Sequence, residues 1–181
     1  LCQSSRNKIL NNKIGNNDFF GISLYLSSKN IISRNRICDN NFFGIHLRYS
    51  SINLIYLNDF VNNSPNVCSR NSDNIWNSTK RITYVYDGKT YKNYMGNYWS
   101  DYLGEDEDGD GIGDTLYKVD DNDYDFCPRI RPLEFYSKRS ENPMGEMRMR
   151  DTMEMRQGEE LQLLPFPWEQ NLEALELGRE K

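Results

Sequence analysis

The residues best suited to chemistry lie in one acidic run, Asp106-Glu107-Asp108-Gly109-Asp110-Gly111-Ile112-Gly113-Asp114. Crowded carboxylates repel one another unless a cation offsets the charge, and a hard Ca²⁺ ion takes six to eight oxygens. Asp106, Asp108 and Asp110 alternate along a glycine-bent loop, Ile112 can lend a backbone carbonyl, and Asp114 closes the set. The first half fits the D-x-[DN]-x-[DN]-G start of an EF-hand loop. The second half departs from it, because Tyr117 stands where the bidentate glutamate belongs and no paired helices flank the run. The spacing therefore predicts a calcium loop outside an EF-hand, with a solvated acidic turn as the plainer alternative.

A second set is soft. Met144, Met147, Met149, Met153 and Met155 fall close together, interleaved with Arg148, Arg150 and Arg156. Thioethers suit Cu(I), whereas the arginines repel a cation, so copper competes with a plain polar extension. The four cysteines Cys2, Cys38, Cys68 and Cys127 form no CxxC pair and signal neither zinc nor redox chemistry. His46 is the single histidine, and its neighbours Ile45 and Leu47 should turn inward and leave it exposed. Asp18, Asp39 and Asp59 are the only acids of the first third, and Asp18 and Asp39 do not share a column. No catalytic set is predicted. Asn62 and Asn77 head N-x-Ser/Thr sequons and are glycosylation candidates if the chain is exported.

These groups must be carried by something, and the carrier is a repeat of 23 residues. Ser4-Ser5 recurs as Ser27-Ser28 and Ser50-Ser51. In the same register Asn7 maps to Asn30 and Asn53, Ile9 to Ile32 and Ile55, and Asn12 to Asn35 and Asn58. Ile14 maps to Ile37 and Phe60, Asn17 to Asn40 and Asn63, and Phe20-Gly21-Ile22 to Phe43-Gly44-Ile45. Within a repeat, Ile22, Leu24 and Leu26 alternate with period two, which marks a strand with one buried face. Asparagine tolerates left-handed backbone and is expected at the corners, with Gly21 and Gly44 freeing another corner. Three short strands per repeat predict an all-β, right-handed, single-stranded parallel β-helix whose asparagines stack in ladders. Residues 1–66 are read as its coils, the C-terminal end of a longer array.

After Asn63 the register fails. Residues 67–136 are read as a β-rich cap, with a Tyr84–Tyr86 strand turning at Asp87-Gly88 and the aromatic run Tyr94-Met95-Gly96-Asn97-Tyr98-Trp99-Ser100-Asp101-Tyr102. An atypical terminal unit is what a solenoid needs to cover its last coil; a sugar-stacking platform is the alternative use of those rings. Residues 137–181 are read as a weakly ordered, methionine-rich tail with a short amphipathic helix at 168–179.

Charge follows the same division. Residues 1–67 carry seven lysines and arginines against three acids, and residues 68–136 carry eight against fourteen. The basic excess comes with no stacking motif, so nucleic acid is not expected as a partner. No stretch reaches a transmembrane length. The chain starts at Leu1 rather than methionine, so it is read as a fragment and a missing signal peptide tells nothing.

The repeats, the Asn-Tyr-Met-Gly-Asn-Tyr-Trp-Ser-Asp-Tyr run and Asp-Gly-Asp-Gly-Ile-Gly-Asp-Thr together resemble the NosD-like parallel β-helix proteins, common among surface and secreted proteins of methanogenic archaea. The resemblance spans residues 4–136. It implies a right-handed β-helix of the fold class shared by carbohydrate-binding proteins and sugar hydrolases, an extracellular, cell-surface or periplasmic location, and a family link to copper delivery. The chain departs from the family at Asp125-Phe126-Cys127-Pro128, where Tyr-Pro-Leu is usual. Three functions stay open: a non-catalytic surface module binding a polysaccharide or another surface protein, with a calcium-stabilised cap; a copper-handling accessory protein; and a polysaccharide lyase or hydrolase.

Overall fold

A strand of three or four residues cannot bury an apolar face alone, and a short repeat solves this by stacking each strand on its own successor. The computed structural model describes residues 1–137. Coil one holds β1 (Lys8–Leu10), β2 (Lys13–Gly15) and β3 (Ile22–Tyr25). Coil two holds β4 (Ile31–Ser33), β5 (Arg36–Cys38) and β6 (Ile45–Arg48), and coil three β7 (Leu54–Tyr56), β8 (Asp59–Val61) and β9 (Val67–Arg70). They pair in parallel as β1-β4-β7, β2-β5-β8 and β3-β6-β9. Ile9 pairs with Ile32 and Ile32 with Ile55, one interior row as the repeat requires. The fold is a parallel β-helix. Its core consists of self-stacked rows in which Ile32, Ile55, Ile37, Phe60, Leu24 and Leu47 are fully buried.

The corners bear out the expectation in part: Asn11 and Asn16 (φ 57° each) and Asn62 (51°) bend the chain with left-handed backbone, but other residue types take the same place in other coils. Residues with left-handed backbone in coil two are Leu26 (φ 49°), Lys29 (60°), Arg34 (58°) and Asp39 (54°). Each stands one position before an inward polar residue, namely Ser27, Asn30, Asn35 or Asn40, all buried. The stacked asparagines thus lie inside, one position after the residue that bends the chain, whether that residue is an asparagine or not. Nδ2 of Asn35 donates to Oδ1 of Asn58 at 2.9 Å, and the Asn35 backbone N–H donates to the same oxygen at 3.0 Å. Those bonds repay a left-handed non-glycine residue, which costs about 1–2 kcal/mol. Gly21 and Gly44 serve close approach instead of a left-handed turn: a Cβ on Gly21 would meet the Gly44 carbonyl at 2.6 Å, and one on Gly44 the Asn66 carbonyl at 2.7 Å.

The helix continues past Asn63. Coil three is one residue shorter, so Ile45 pairs with Val67. A fourth turn begins where Ile75 bridges Leu54. It is interrupted by an antiparallel hairpin of β10 (Ile82–Tyr86) and β11 (Lys89–Asn93), and resumes at β12 (Tyr98–Trp99), which pairs with β8. Trp76 and Trp99 lie buried in the core, and Phe60, Trp99 and Tyr117 stack face to face at 4.4 and 4.3 Å. Tyr117 therefore packs against the β-helix core from the cap side, which accounts for its place at the last position of the EF-like run. β13 (Tyr117–Lys118) and β14 (Tyr124–Asp125) form a last small ladder, followed by a 3-10 turn at Leu133–Phe135.

A ladder in which every coil donates to the next leaves its final donors needing an acceptor, because an unpaired buried amide costs about 1–3 kcal/mol. Carboxylates accept from the end of all three asparagine ladders, although Nδ2 of Asn74 stays buried without a partner. Asn58 donates to Asn97, whose backbone N–H and Nδ2 donate to Oδ2 of Asp125. Asn53 donates to Asn74, whose backbone N–H reaches Asp123. Asn63 donates to Asn66, which donates to Asp101. The indole N–H groups of Trp76 and Trp99 bond the same Asp123 and Asp125.

Candidate functional site

Strand alternation sends Ile22, Leu24, Ile45 and Leu47 inward, so Ser23, Tyr25, His46, Arg48, Cys68 and Arg70 face out from β3, β6 and β9. Register sorts them into two rows across the coils, Ser23–His46–Cys68 and Tyr25–Arg48–Arg70. A third row borders them. Phe20 and Phe43 stack at 5.8 Å, and the His46 ring lies over both, 4.8 Å from Phe20 and 5.6 Å from Phe43. Phe19 and Phe42 extend this apolar strip, 71% and 47% exposed. The Arg48 guanidinium sits over the Tyr49 ring. Burial lowers the pKa of His46, aided by the positive charges of Arg70 and Arg48. Its Nδ1 is buried with no hydrogen-bond partner.

Aromatic faces, the stacked Arg48 guanidinium with Arg70 beside it and an imidazole are groups that can hold a flat or anionic ligand. The outward direction expected for His46 holds, but its side chain is half-buried against the phenyl rings rather than exposed, and this face was not anticipated. The 23-residue register sets Ser69 opposite His46, and only the shortened third coil brings Cys68 there. The Phe-Gly-Ile recurrence was the one available signal for the aromatic row.

The acidic loop is the second candidate. Carboxylate oxygens of Asp106, Asp108 and Asp110 gather within 4.8 Å of one another. Asp106 accepts the N–H groups of Asp110 and Gly111, and Asp110 accepts that of Ile112. The hairpin holds the loop in place, with Tyr84 donating to the Asp110 carbonyl, Tyr91 to the Gly109 carbonyl and Asn93 to the Asp110 carboxylate. Burial raises the pKa of Asp106, opposed by those backbone donors. Asp114 is not in the group: its carboxylate accepts the Glu107 N–H at 2.6 Å. Ile112 packs into the cap core with Tyr84, Tyr86 and Met95.

The acids of the repeats are dispersed. Asp59 is buried against Arg129, while Asp18 and Asp39 accept Asn41 and Asn62 across neighbouring coils. Asn62 is exposed and Asn77 half-buried. Met144, Met147, Met149, Met153 and Met155, and the helix expected at 168–179, lie outside the described residues. No helix among the described residues is long and apolar enough to cross a membrane.

Fold and exposed face define a capped parallel β-helix repeat protein. The chain belongs to the family described as "Periplasmic copper-binding protein (NosD)", whose pattern matches residues 1–104. That family is extracytoplasmic, and so is this chain's place. A protein from Pseudomonas aeruginosa named "Probable ABC transporter binding protein NosD" is 67% identical over 27 residues, 15% of this chain and 6% of that one. A protein of the same name from Stutzerimonas stutzeri is 63% identical over 27 residues, with the same shares covered. The matches thus span 6% of the length of these curated relatives. No solved structure matches.

Proposed function

We propose that the chain is a non-catalytic binding module of an extracytoplasmic NosD-type protein, and that it holds an acidic polysaccharide along the outer face of β3, β6 and β9. The observation that carries this is the alignment of three rows, aromatic, imidazole and guanidinium, across successive coils. Sugar rings stack on phenyl faces, and carboxylates pair with Arg48 and Arg70. Affinity electrophoresis in polygalacturonate checks it. The native chain is retarded, Arg48→Ala with Arg70→Ala runs free, and added salt weakens retardation as charge pairing is screened. Equal retardation in neutral dextran sinks the reading. Shortening of the polymer would make the chain a lyase or hydrolase, and binding to a surface protein alone would change the partner class.

In this reading the Asp106, Asp108 and Asp110 loop takes Ca²⁺, which stiffens the cap. The convergence of three carboxylates on a loop braced by Tyr84, Tyr91 and Asn93 supports it. An ion that binds only the folded chain stabilises it by about 2.7 kcal/mol at a hundredfold excess over Kd. Calcium is expected to raise the melting temperature of the native chain and leave Asp108→Ala unmoved. An identical rise in both removes the site.

A second reading is copper handling. The family's description favours it, and so does the meeting of a free thiol and an unpartnered imidazole on the same face.

A further inference from the structure

Two soft donors stand side by side on the outer face. His46 and Cys68 are register partners on β6 and β9, strands about 4.8 Å apart. Their flanking residues Ile45, Leu47 and Ser69 are buried, so both side chains leave the sheet on the same side. Cys68 is a free, half-buried thiol. His46 is fixed in orientation by the two phenyl rings beneath it, and its Nδ1 is an orphaned, buried nitrogen. A polar atom left unpaired in a protein surface costs free energy that a ligand can return.

We infer that His46 and Cys68 together hold one Cu(I) ion. This rests on the copper-handling reading and assigns it to two residues. Cu(I) is soft, favours thiolate sulfur and accepts imidazole nitrogen, and it is satisfied by two donors in line. Loading forms one Cu–S and one Cu–N bond, releases the thiol proton to solvent and changes no oxidation state. The charged groups facing the pair are Arg48 and Arg70, one row along the same strands. They disfavour a bare dication. A Cu(I) ion bound by a thiolate and a neutral imidazole carries no net charge, so the same guanidiniums tolerate it. The phenyl rings of Phe20 and Phe43 wall one side from water, which protects a thiolate-bound Cu(I) from oxidation.

The test uses the full chain under anaerobic, reducing conditions, with Cu(I) titrated against a chromogenic Cu(I) chelator. Native protein is expected to withdraw one equivalent. His46→Gln and Cys68→Ser lose it, while Cys2→Ser, Cys127→Ser and a chain with leucine at Met144, Met147, Met149, Met153 and Met155 keep it. X-ray absorption at the copper edge then reads one sulfur and one nitrogen neighbour. Both substituted side chains point outward, so unchanged circular dichroism confirms that a loss is a loss of ligand and not of fold. If the native chain binds Cu(I) but His46→Gln and Cys68→Ser bind equally well, or only the leucine variant fails, this pair is wrong and copper handling survives elsewhere in the chain. If the native chain takes no Cu(I), both fall together.

Discussion

Replacing Arg129 with methionine is expected to cost about 3–5 kcal/mol, the range for removing one partner of a buried ion pair. Arg129 is fully buried, and its guanidinium bonds Asp59 at 2.8 Å, the Asn58 carbonyl at 2.9 Å and the Gly96 carbonyl at 3.2 Å. One side chain thus ties the start of β8 in coil three to the segment entering β12, and it lies over the Tyr136 ring. Methionine fills similar volume but leaves the Asp59 carboxylate buried with the Leu133 N–H and a distant, half-exposed Arg36 as its remaining partners. The two carbonyls each keep a backbone donor, from Tyr98 and Leu57, so the uncompensated charge dominates the loss. Urea unfolding measures it. The double change Asp59→Asn with Arg129→Met should recover part of the stability, because the stranded charge is gone. Arg131→Ala is the contrast: that guanidinium is half exposed and 3.9 Å from Asp87, and exposed pairs contribute about 0–1 kcal/mol. A loss for Arg129→Met no greater than for Arg131→Ala would show that the clamp does not join coil and cap.

The interior rows were legible because a solenoid writes its packing directly into its period. Ile9, Ile32 and Ile55 recur at one spacing and therefore touch. The same logic fails wherever the period breaks, and both the His46–Cys68 pairing and the Asn58–Asn97 continuation arise there. Dropping one residue between Asn63 and Val67 moves Cys68 into line with His46. Inserting the β10–β11 hairpin hides Asn97 as the continuation of the Asn58 ladder, 39 residues away. Local composition could not reveal either event, since each is a difference in loop length rather than a change of residue type. The acids of the cap were ambiguous for another reason. Asp106, Asp108 and Asp110 look like cation ligands and gather as such, but Asp123 and Asp125, similar in sequence terms, are buried acceptors at ladder ends. What separates the two groups is the donors they meet, asparagine-ladder amides and indole N–H groups at Asp123 and Asp125, and those depend on which coil lies beneath.

That distinction has a consequence that can be measured at Asp125. Its carboxylate is fully enclosed and accepts the Asn97 backbone N–H at 2.7 Å, the Trp99 indole at 3.0 Å and the Cys127 N–H at 3.1 Å. Burial still outweighs these donors and pushes its pKa up to about 6. A folded-state pKa above the unfolded value means that the native chain binds the proton more tightly. Stability from this group is therefore full below the unfolded carboxyl range near pH 4 and is lost as pH rises through about 6. A shift of about two units corresponds to about 3 kcal/mol. Asp123, whose pKa burial also raises, slopes the same way, so the native curve alone does not isolate Asp125. Asp125→Asn does: the amide oxygen keeps the Asn97 and Trp99 donors, cannot ionise, and leaves every other titration in place. Between pH 4 and pH 7 the native chain is expected to lose about 3 kcal/mol relative to Asp125→Asn. Parallel stability curves would mean that Asp125 is solvated in the folded state, and the ladder would then end in water instead of on a buried carboxylate.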